Sequence, residues 1–581
     1  MGVANIFKDF SISKLRKRLF ASFLAVAFLF LFILGKLFAV TVVEGEFLRS
    51  KALDQWTREL PIKAKRGDIV DKNGVLLAGS KGTYAVYVRP RCVTNVEMVV
   101  SVCAELFELN EDGLREKIVK KNTSEFKIAG EVDKNKINQL MSHELNGVYY
   151  SIDNTRVYPL GSALCQTLGY LSSDGVGQSG LEKYYDEYLR GIDGEIVYES
   201  DLTGTDLSSN ASYISATNGY NIQLTIDSEI QLICENQLAK AVAEYTPKSA
   251  QVLVLEPSTG KILAMAQQPS YDLNNIPRDD VDYLLKTGRN SLILDSYEPG
   301  STFKVITASA NIEEYNRGNK KAFSPQYIFN SSRYRIVSGR KIKCWTTHAN
   351  GKHANENLAM ALNNSCNPIF VDIALSLGKS TMYSYIQNFN FGRATGVDFQ
   401  GEAIGMLVPE QAVTDGDLAR IGFGQTIAVT PIQLASAVCA AVNGGNYYQP
   451  YMLERVYTNT QTISKSYPIL KNKVISEKTS KYISACLEDV VANGSGKQAY
   501  IDGYKVGGKT GTAQKYKNGV IDVGKYVMSF VGFFPSNNPQ YLALVIVDEP
   551  IGGAYGSTVA APICKNIFSD IIQAKNLKPV V

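Results

Sequence analysis

An apolar segment near the N-terminus constrains this chain more than any other feature of its sequence. Residues 19 to 35 are uncharged and mostly apolar, and after Lys36 the apolar run resumes from Leu37 to Val43. Such a segment is long enough to cross a bilayer once the Lys36 side chain extends toward the interface. A cleaved signal peptide is the alternative, but the apolar region is too long for one, and no convincing small-x-small cleavage site follows. We therefore expect a transmembrane anchor.

Basic residues are concentrated directly before this segment. Lys14, Arg16, Lys17 and Arg18 precede it, which predicts a cytoplasmic N-terminus and an extracytoplasmic remainder. The first 18 residues carry five basic groups and one acidic group, a net charge of +4, and the whole chain, with 60 basic and 56 acidic residues, is also +4. The part after Arg18 is therefore neutral overall, which argues against a nucleic-acid partner.

Local sequence patterns divide the rest of the chain. At 581 residues it is too long for one ordinary domain. Residues 92–145 follow a mostly helical pattern, and the cluster of Ser, Asn and Thr at 208–218 is typical of a domain boundary. Strand-like segments follow between residues 222 and 267, a helix-rich middle comes next, and strands return after Gly503. This order predicts an α/β sandwich whose first and last strands pair.

Three short motifs in a fixed order combine the groups needed for acyl transfer without a histidine. They are Ser301-Thr-Phe-Lys304, Ser365-Cys366-Asn367 and Lys509-Thr510-Gly511-Thr512. A serine hydroxyl becomes an effective nucleophile only when a neighbouring base takes its proton. A lysine can be that base if burial and a second positive charge keep it neutral. The motifs thus offer a nucleophile, a base, a proton shuttle and an electrostatic clamp.

Each motif alone is weak evidence, because each pattern recurs in the chain. Another Ser-x-x-Lys begins at Ser376 and another Lys-Thr-Gly at Lys286, so a helix-capping serine or a surface lysine explains a single match. The context is more specific. Ser301 follows Glu-Pro-Gly, which indicates a helix start with Lys304 on the same face. Lys509 follows Val-Gly-Gly and precedes strand-like runs, which indicates a sheet strand.

Taken with several other segments, the motifs resemble those of the class B penicillin-binding proteins, the serine D,D-transpeptidases that crosslink peptidoglycan. The other segments are Arg66 to Gly74, Gly177 to Tyr185, Leu224 to Asp227, Gly422 to Gln425, Thr430 to Gln433 and Asn443 to Gly445. No glycosyltransferase domain precedes them, unlike in the bifunctional class A enzymes. Overall length and the sequence before Lys509 are closer to the division or sporulation branch than to the elongation branch.

The resemblance implies a fold and a domain order. The fold is an α/β penicillin-binding transpeptidase domain, similar to the serine β-lactamases, with an elongated α+β N-terminal pedestal and one transmembrane helix. We expect a cytoplasmic tail at 1–18, the anchor at 19–43, a pedestal or dimerisation-like domain at 44–217 and a transpeptidase domain at 218–581.

The resemblance also implies roles for individual side chains. Ser301 would attack the carbonyl of a D-Ala-D-Ala stem peptide with Lys304 as the base, and β-lactams would acylate and inhibit the same serine. Ser365 would pass the proton to the departing D-Ala, and Asn367 would hold the substrate amide. The segment from Lys509 to Thr512 would bind the terminal carboxylate, and the backbone N–H groups of Ser301 and Thr512 would bind the oxyanion.

The same resemblance implies the partners. They are peptidoglycan stem peptides, β-lactams, the cytoplasmic membrane, a membrane glycosyltransferase, and divisome or sporulation proteins; the chemistry requires no cofactor. Two alternatives stay open from the sequence. One is a D,D-carboxypeptidase or β-lactamase-type hydrolase that passes the acyl group to water, and the other is a β-lactam sensor or scaffold protein.

A possible structural zinc site lies around the central motif. Four residues fall within one short window: Cys344, His348, His353 and Cys366. Thiolate and imidazole are ligands that zinc prefers, and a structural site needs four. Asp295, shortly before Ser301, is a further candidate carboxylate. In the alternative interpretation both cysteines pack in the core and both histidines lie on an exposed loop; the family resemblance alone implies no metal.

Overall fold

The helices and strands are taken from a computed structural model, which describes residues 12–120, 123, 125–199, 212–330, 332–346, 348, 353–517, 520–552 and 555–579. The helices are α1 (Ile12–Phe38), α2 (Gly45–Trp56), α3 (Val96–Phe107), α4 (Glu111–Lys120), α5 (Lys134–Met141), α6 (Cys165–Leu168), α7 (Gly180–Tyr184), α8 (Asp186–Leu189), α9 (Ser228–Tyr245), α10 (Val281–Thr287), α11 (Ser291–Leu294), α12 (Lys304–Asn316), α13 (Leu358–Asn363), α14 (Asn367–Leu377), α15 (Lys379–Asn388), α16 (Asp415–Ile421), α17 (Pro431–Val442), α18 (Glu477–Ala492) and α19 (Ala560–Ala574).

The strands are β1 (Thr57–Ile62), β2 (Ile69–Val70), β3 (Leu76–Val88), β4 (Phe126–Val132), β5 (Val148–Val157), β6 (Gly194–Glu199), β7 (Ser212–Ile214), β8 (Asn221–Leu224), β9 (Ser249–Leu255), β10 (Ile262–Gln268), β11 (Tyr334–Val337), β12 (Arg340–Lys343), β13 (Met406–Leu407), β14 (Ile427–Ala428), β15 (Asn446–Tyr448), β16 (Leu453–Tyr457), β17 (Thr462–Lys465), β18 (Leu470–Lys473), β19 (Gly507–Lys517), β20 (Val520–Phe534) and β21 (Tyr541–Asp548).

The N-terminal helix is long, apolar and exposed. Helical backbone continues from Ile12 to Val43, and none of its most apolar window is buried against the rest of the chain. Its length and composition fit a single-pass membrane anchor. Residues 1–11 of the predicted cytoplasmic tail lie outside the described residues.

One compact unit is assembled from residues 1–64, 82–153 and 192–217. In it, the second half of β3 pairs with β4 and β5, and β1, β6 and β7 form a separate three-stranded sheet. Helices α3, α4 and α5 bury Val100, Ile118 and Leu140 in one apolar cluster with Val86 of β3. The predicted boundary at 208–218 falls partly outside the described residues, since 200–211 are not among them.

The second unit contains residues 65–81, 154–191 and 218–581, and its main sheet has five antiparallel strands in the order β10-β9-β21-β20-β19. Strands from the two ends of this region pair along β9 and β21, which confirms the predicted α/β sandwich. The strand expected at 222–226 is an exception: it forms β8, which pairs with β2 and β16 in another sheet.

Helices cover both faces of the five-stranded sheet. Helices α9 and α19 pack on one face, where Cys234 and Phe568 meet Val252 and Phe530. The helix-rich middle packs on the other face, and its core includes side chains of α12, α14 and α17. Side chains alternate along a strand. Lys509 is paired with Val531, whose side chain belongs to the core between the sheet and the helix-rich middle. The Lys509 side chain therefore faces the helical layer that carries Ser301.

A buried ion-pair network within the second unit centres on one carboxylate. Glu182 Oε2 accepts from Arg66 Nε at 2.7 Å, and Glu182 Oε1 accepts from Arg156 Nε at 2.7 Å. All three side chains are buried, and that of Glu182 is 0% exposed. Arg66 Nη1 also donates to Asp186 Oδ1 at 2.7 Å.

We expect Glu182→Gln to lower the free energy of unfolding by about 3–5 kcal/mol, because it removes the carboxylate that pairs with the buried Arg156 and leaves the buried Arg66 with Asp186 alone. Thermal denaturation followed by circular dichroism measures the effect. Asp186→Asn is the matched control and should lower the free energy of unfolding by a smaller amount, since the Asp186 side chain is 18% exposed. Equal melting temperatures for Glu182→Gln and the wild type would contradict the expectation.

Candidate active site

Ser301 lies in a tight turn that leads directly into α12. Residues Gly300–Phe303 form a 3-10 turn, and α12 begins at Lys304. Gly300 has φ of 55°, a conformation that glycine adopts without strain. A Cβ at this position would lie 3.3 Å from the Thr512 carbonyl oxygen, so the turn approaches β19 closely. The helix start predicted from the sequence at Ser301 is confirmed, and the turn places the serine beside the sheet.

The Lys304 ammonium is fully buried between the motifs. Its Nζ donates to the Ser365 carbonyl oxygen at 2.8 Å, to Ser365 Oγ at 3.1 Å and to Asn367 Oδ1 at 2.7 Å. Burial lowers the pKa of Lys304 to about 8, because the charged form loses its hydration. The side chain is therefore much closer to neutrality at physiological pH than an exposed lysine.

Ser365 lies between the two lysines of the site. It occupies the short connection from α13 to α14 and has φ of 55°, a left-handed conformation that is uncommon for residues other than glycine. Its Oγ accepts from Lys304 Nζ at 3.1 Å and from Lys509 Nζ at 3.0 Å. The hydroxyl is thus within hydrogen-bonding distance of both ammonium groups.

Lys509 is the second fully buried lysine of the site. Burial lowers its pKa well below the usual value, and repulsion from Lys304 lowers it further. Lys509 lies on β19, at the edge of the main sheet, as the sequence predicts. Because the two buried ammonium groups repel each other, protonation of one lysine disfavours protonation of the other.

The rest of the third motif packs tightly against the nucleophile turn. A Cβ on Gly511 would lie 2.3 Å from Ser529 Oγ and 3.0 Å from Thr302 Cγ2, which leaves room only for glycine. Thr510 Oγ1 lies 3.4 Å from Ser495 Oγ, and Thr512 Oγ1 accepts from the Gly556 backbone N–H at 3.0 Å. Hydrogen bonds and close packing thus bring the three motifs into one cleft.

The sequence did not single out an aromatic pair at this cleft. The rings of Trp345 and Tyr555 meet edge to face, with centroids 5.8 Å apart, and both side chains are about half exposed. Trp345 Nε1 donates to the carbonyl oxygen of Asn364, which precedes Ser365. One signal was available: Trp345 is one of only two tryptophans and directly follows Cys344.

The four residues of the possible zinc site converge behind the central motif. The ligand atoms of Cys344, His348, His353 and Cys366 lie within 4.8 Å of one another. Cys344 Sγ is 3.9 Å from His353 Nδ1, and Cys366 Sγ is 3.9 Å from His348 Nε2. Ligand atoms on a tetrahedral zinc would lie about 3.3–3.8 Å apart, so a modest contraction would accommodate the ion.

Burial and charge distinguish the two interpretations of this group. Both cysteines and His353 are buried, contrary to the alternative in which His353 lies on an exposed loop. The Cys344 and Cys366 thiols lie close together, and their mutual interaction lowers the pKa of Cys344 while it raises that of Cys366. Asp295 is not part of the group; its Oδ1 accepts from Arg289 Nε at 2.7 Å.

Two family models match the chain. The penicillin-binding protein transpeptidase domain matches residues 250–569, and the penicillin-binding protein dimerisation domain matches residues 61–224. The first contains all three motifs of the cleft, and the second contains the Glu182 network.

Individual proteins and structures agree with these matches. Stage V sporulation protein D of Bacillus subtilis is 39% identical over 571 residues, which cover 97% of this chain and 86% of that protein. The peptidoglycan D,D-transpeptidase FtsI of Escherichia coli K12 is 27% identical over 94% of this chain and 90% of its own length. Penicillin-binding protein 3 of Mycobacterium tuberculosis, solved with aztreonam, has a TM-score of 0.69 and 22% identity over 90% of this chain and 98% of that one. The chain therefore belongs to the class B penicillin-binding proteins.

Proposed function

We propose that the protein is a serine-type D-Ala-D-Ala transpeptidase that crosslinks peptidoglycan stem peptides and is acylated and inhibited by β-lactams. The observation that carries this proposal is the buried chain of contacts from Lys304 through Ser365 to Lys509. It offers a base of lowered pKa, a hydroxyl in contact with it, and a second buried lysine. Relatives named as peptidoglycan D,D-transpeptidases support the same function.

Acylation uses these groups in order. Ser301 Oγ gives its proton to neutral Lys304 Nζ and bonds to the carbonyl carbon of the penultimate D-Ala. The oxyanion that forms is bound by the backbone N–H groups of Ser301 and Thr512. The Lys304 proton then passes through Ser365 Oγ to the departing amine, since that hydroxyl is 3.1 Å from Lys304 Nζ. The C–N bond breaks, D-Ala leaves, and Ser301 carries the acyl group.

Substrate binding and the second half of the reaction use the same cleft. Asn367 holds the substrate amide, and the segment from Lys509 to Thr512 binds the terminal carboxylate of the stem peptide or of a β-lactam. An amine of a second stem peptide then attacks the ester carbonyl and gives a proton to Lys304. The C–O bond to Ser301 breaks, and Lys304 returns the proton to Ser301 Oγ. Water in place of the amine would give a trimmed peptide, the carboxypeptidase alternative.

The products distinguish these outcomes. We expect the purified full-length protein, together with a membrane glycosyltransferase and lipid-linked precursor, to yield crosslinked dimeric muropeptides on chromatography and mass spectrometry. Prior treatment with penicillin is the control and should remove the dimers. Trimmed monomers without dimers would contradict transpeptidation and favour a D,D-carboxypeptidase.

The membrane setting and the domain order belong to the same proposal. We assign residues 1–18 to a cytoplasmic tail, 19–43 to the anchor, 44–217 to a pedestal and 218–581 to the transpeptidase domain. The basic residues before the anchor support a cytoplasmic N-terminus and a catalytic domain outside. Sporulation proteins are proposed partners because one relative is named stage V sporulation protein D. A membrane glycosyltransferase and division proteins are proposed on the family resemblance alone.

We further propose that the Cys344, His348, His353 and Cys366 group binds a structural zinc ion. Convergence of two thiols and two imidazoles in a mostly buried site supports it. Because Cys366 directly follows Ser365, a bound ion would hold the Ser365 connection in place. Removal of the ion would then destabilise the domain and slow acylation.

We expect about one zinc per chain by elemental analysis of protein purified under reducing, chelator-free conditions, and less in Cys366→Ser. Chelation should lower the melting temperature of the wild type by about 2–4 °C for each kcal/mol of lost binding energy. Cys439→Ser is the matched control, because Cys439 is a buried thiol on α17, outside the group. Absence of stoichiometric zinc, with equal melting temperatures before and after chelation, would contradict the site.

A further inference from the structure

The β11–β12 hairpin lies in a strongly basic part of the chain. Residues 322–355 contain six Lys and Arg residues and no Asp or Glu. The hairpin itself carries four of the six on ten residues, from Tyr334 to Lys343. A concentration of one charge sign on a short protruding element creates a local field that attracts anions.

Strand register divides the hairpin into two faces. The inner face buries Val337 and Ile342 and carries Arg335, which pairs with Asp372 at 2.6 Å, and Arg340, whose charge acts on Asp417. The outer face carries Tyr334, Ile336, Lys341 and Lys343, all exposed.

The outer lysines have no ionic partner within the described part of the chain, in contrast to Arg335. Lys341 Nζ lies over the Tyr334 ring, 4.1 Å from its centroid, and neither Lys341 nor Lys343 has a carboxylate oxygen within 4.0 Å. Two acidic groups, Asp372 and Asp417, act on the arginines of the inner face. The outer face thus presents two uncompensated cations beside an aromatic ring.

This outer face ends at the active site. The carbonyl oxygen of Lys343 accepts from Asn367 Nδ2 at 3.4 Å, while Asn367 Oδ1 accepts from Lys304 Nζ. Asn367 is the residue that holds the amide joining the D-Ala pair to the rest of the stem peptide. Strand β12 therefore flanks the position of the substrate residue that precedes the D-Ala pair.

We propose that Lys341 and Lys343 select stem peptides whose residue before D-Ala-D-Ala is a diamino dicarboxylic acid, over stem peptides with a diamino monocarboxylic acid such as lysine. The proposal rests on the proposed function and adds the substrate class. A diamino dicarboxylic residue carries one more carboxylate on its side chain, which the two unpaired ammonium groups attract. A lysine side chain ends in an ammonium group alone, which they repel.

Two penicillins that differ by one carboxylate test the charge preference. Benzylpenicillin and carbenicillin share a nucleus and a phenylacetyl-type side chain, and carbenicillin adds a carboxylate on that side chain. The acylamino side chain of a penicillin occupies the position of the stem-peptide residue before the D-Ala pair. We expect Lys341→Gln/Lys343→Gln to lower the second-order acylation rate constant for carbenicillin about three- to tenfold relative to that for benzylpenicillin, the effect of two exposed ion pairs.

A control variant removes two lysine charges at a site away from the hairpin. Lys240 and Lys565 are exposed on α9 and α19, which cover the opposite face of the main sheet. Lys240→Gln/Lys565→Gln should leave the ratio of the two rate constants unchanged. In the wild type, the relative rate for carbenicillin should fall as salt is added, because exposed charges are screened.

Stem peptides supply the direct measurement. For release of D-Ala from pentapeptides, kcat/KM should favour the diamino dicarboxylic peptide in the wild type, and the hairpin double variant should reduce that preference. The proposal is overturned if the hairpin double variant leaves both ratios unchanged, that of the two penicillin rate constants and that of the two peptide kcat/KM values. An equal loss of rate for both penicillins, or for both peptides, leaves the ratio unchanged and overturns it as well. Failure of both penicillins to acylate the wild-type protein would instead overturn the proposed function.

Discussion

Ser301→Ala abolishes covalent labelling of the protein by a fluorescent penicillin, and with it the release of D-Ala from stem peptides. Thr302, which carries the other hydroxyl of the turn, is buried and donates to the Pro299 carbonyl oxygen at 2.7 Å, so Ser301 is the residue placed to form the ester. Alanine should leave the turn geometry intact, because the Gly300 N–H donates to the Gly424 carbonyl oxygen and the turn packs on β19. Gel fluorescence after incubation with the labelled penicillin measures the loss.

A matched control comes from the second Ser-x-x-Lys match. Ser376→Ala removes a hydroxyl that donates to the Lys321 carbonyl oxygen at 2.6 Å, outside the cleft. This variant should be labelled at the wild-type rate. Persistent labelling of Ser301→Ala, or loss of labelling in Ser376→Ala alone, would place the nucleophile elsewhere.

Lys304→Met slows acylation by about 10²–10⁴-fold, the usual contribution of a positioned general base. Methionine has a similar length and no amine, so Ser301 loses its base and Ser365 loses one of its two donors. Stopped-flow acylation with a chromogenic β-lactam gives the rate constant. Lys379→Met, at the lysine of the second Ser-x-x-Lys match, is the control and should acylate normally.

The pH dependence of the acylation rate constant is an independent test of Lys304 as the base. The base must be neutral, and burial has lowered the pKa of Lys304 to about 8. The acylation rate constant should therefore rise about tenfold per pH unit well below pH 8 and level off above it. Lys304→Met should lose this rise. A wild-type rate that is independent of pH between 6 and 9 would contradict lysine as the base.

The sequence predicted those parts of the fold that follow from local patterns. The apolar run before residue 43 led to the membrane helix, and Glu-Pro-Gly before Ser301 led to the turn and helix α12. Lys509 was expected on a strand because Val-Gly-Gly precedes it, and the glycine at 511 fits the close approach of Thr302. These features depend on residues that are near one another in the chain.

Features that depend on distant residues were predicted less well. Asp295 is close to Ser301 in the chain, yet its carboxylate pairs with Arg289, because α11 ends just before it and its side chain stays half exposed. The strand near residue 222 joined a different sheet, since alternation of apolar residues identifies a strand but not its partner. The contact between Trp345 and Tyr555 joins two loops whose positions no local pattern specifies.

The pairing of β9 with β21 has a consequence for how the activity appears during folding. The hydrogen bond between Lys509 and Ser365 joins residues 144 positions apart in the sequence. The five-stranded sheet is complete only when β21 has paired with β9. Contacts between residues so far apart in the sequence form slowly, because closing the long loop between them costs entropy before the contacts stabilise the fold. The cleft is therefore among the last features to form on a newly made chain. Binding of a labelled penicillin thus reports completion of the whole domain, and a ribosome-bound chain that still lacks β21 should remain unlabelled.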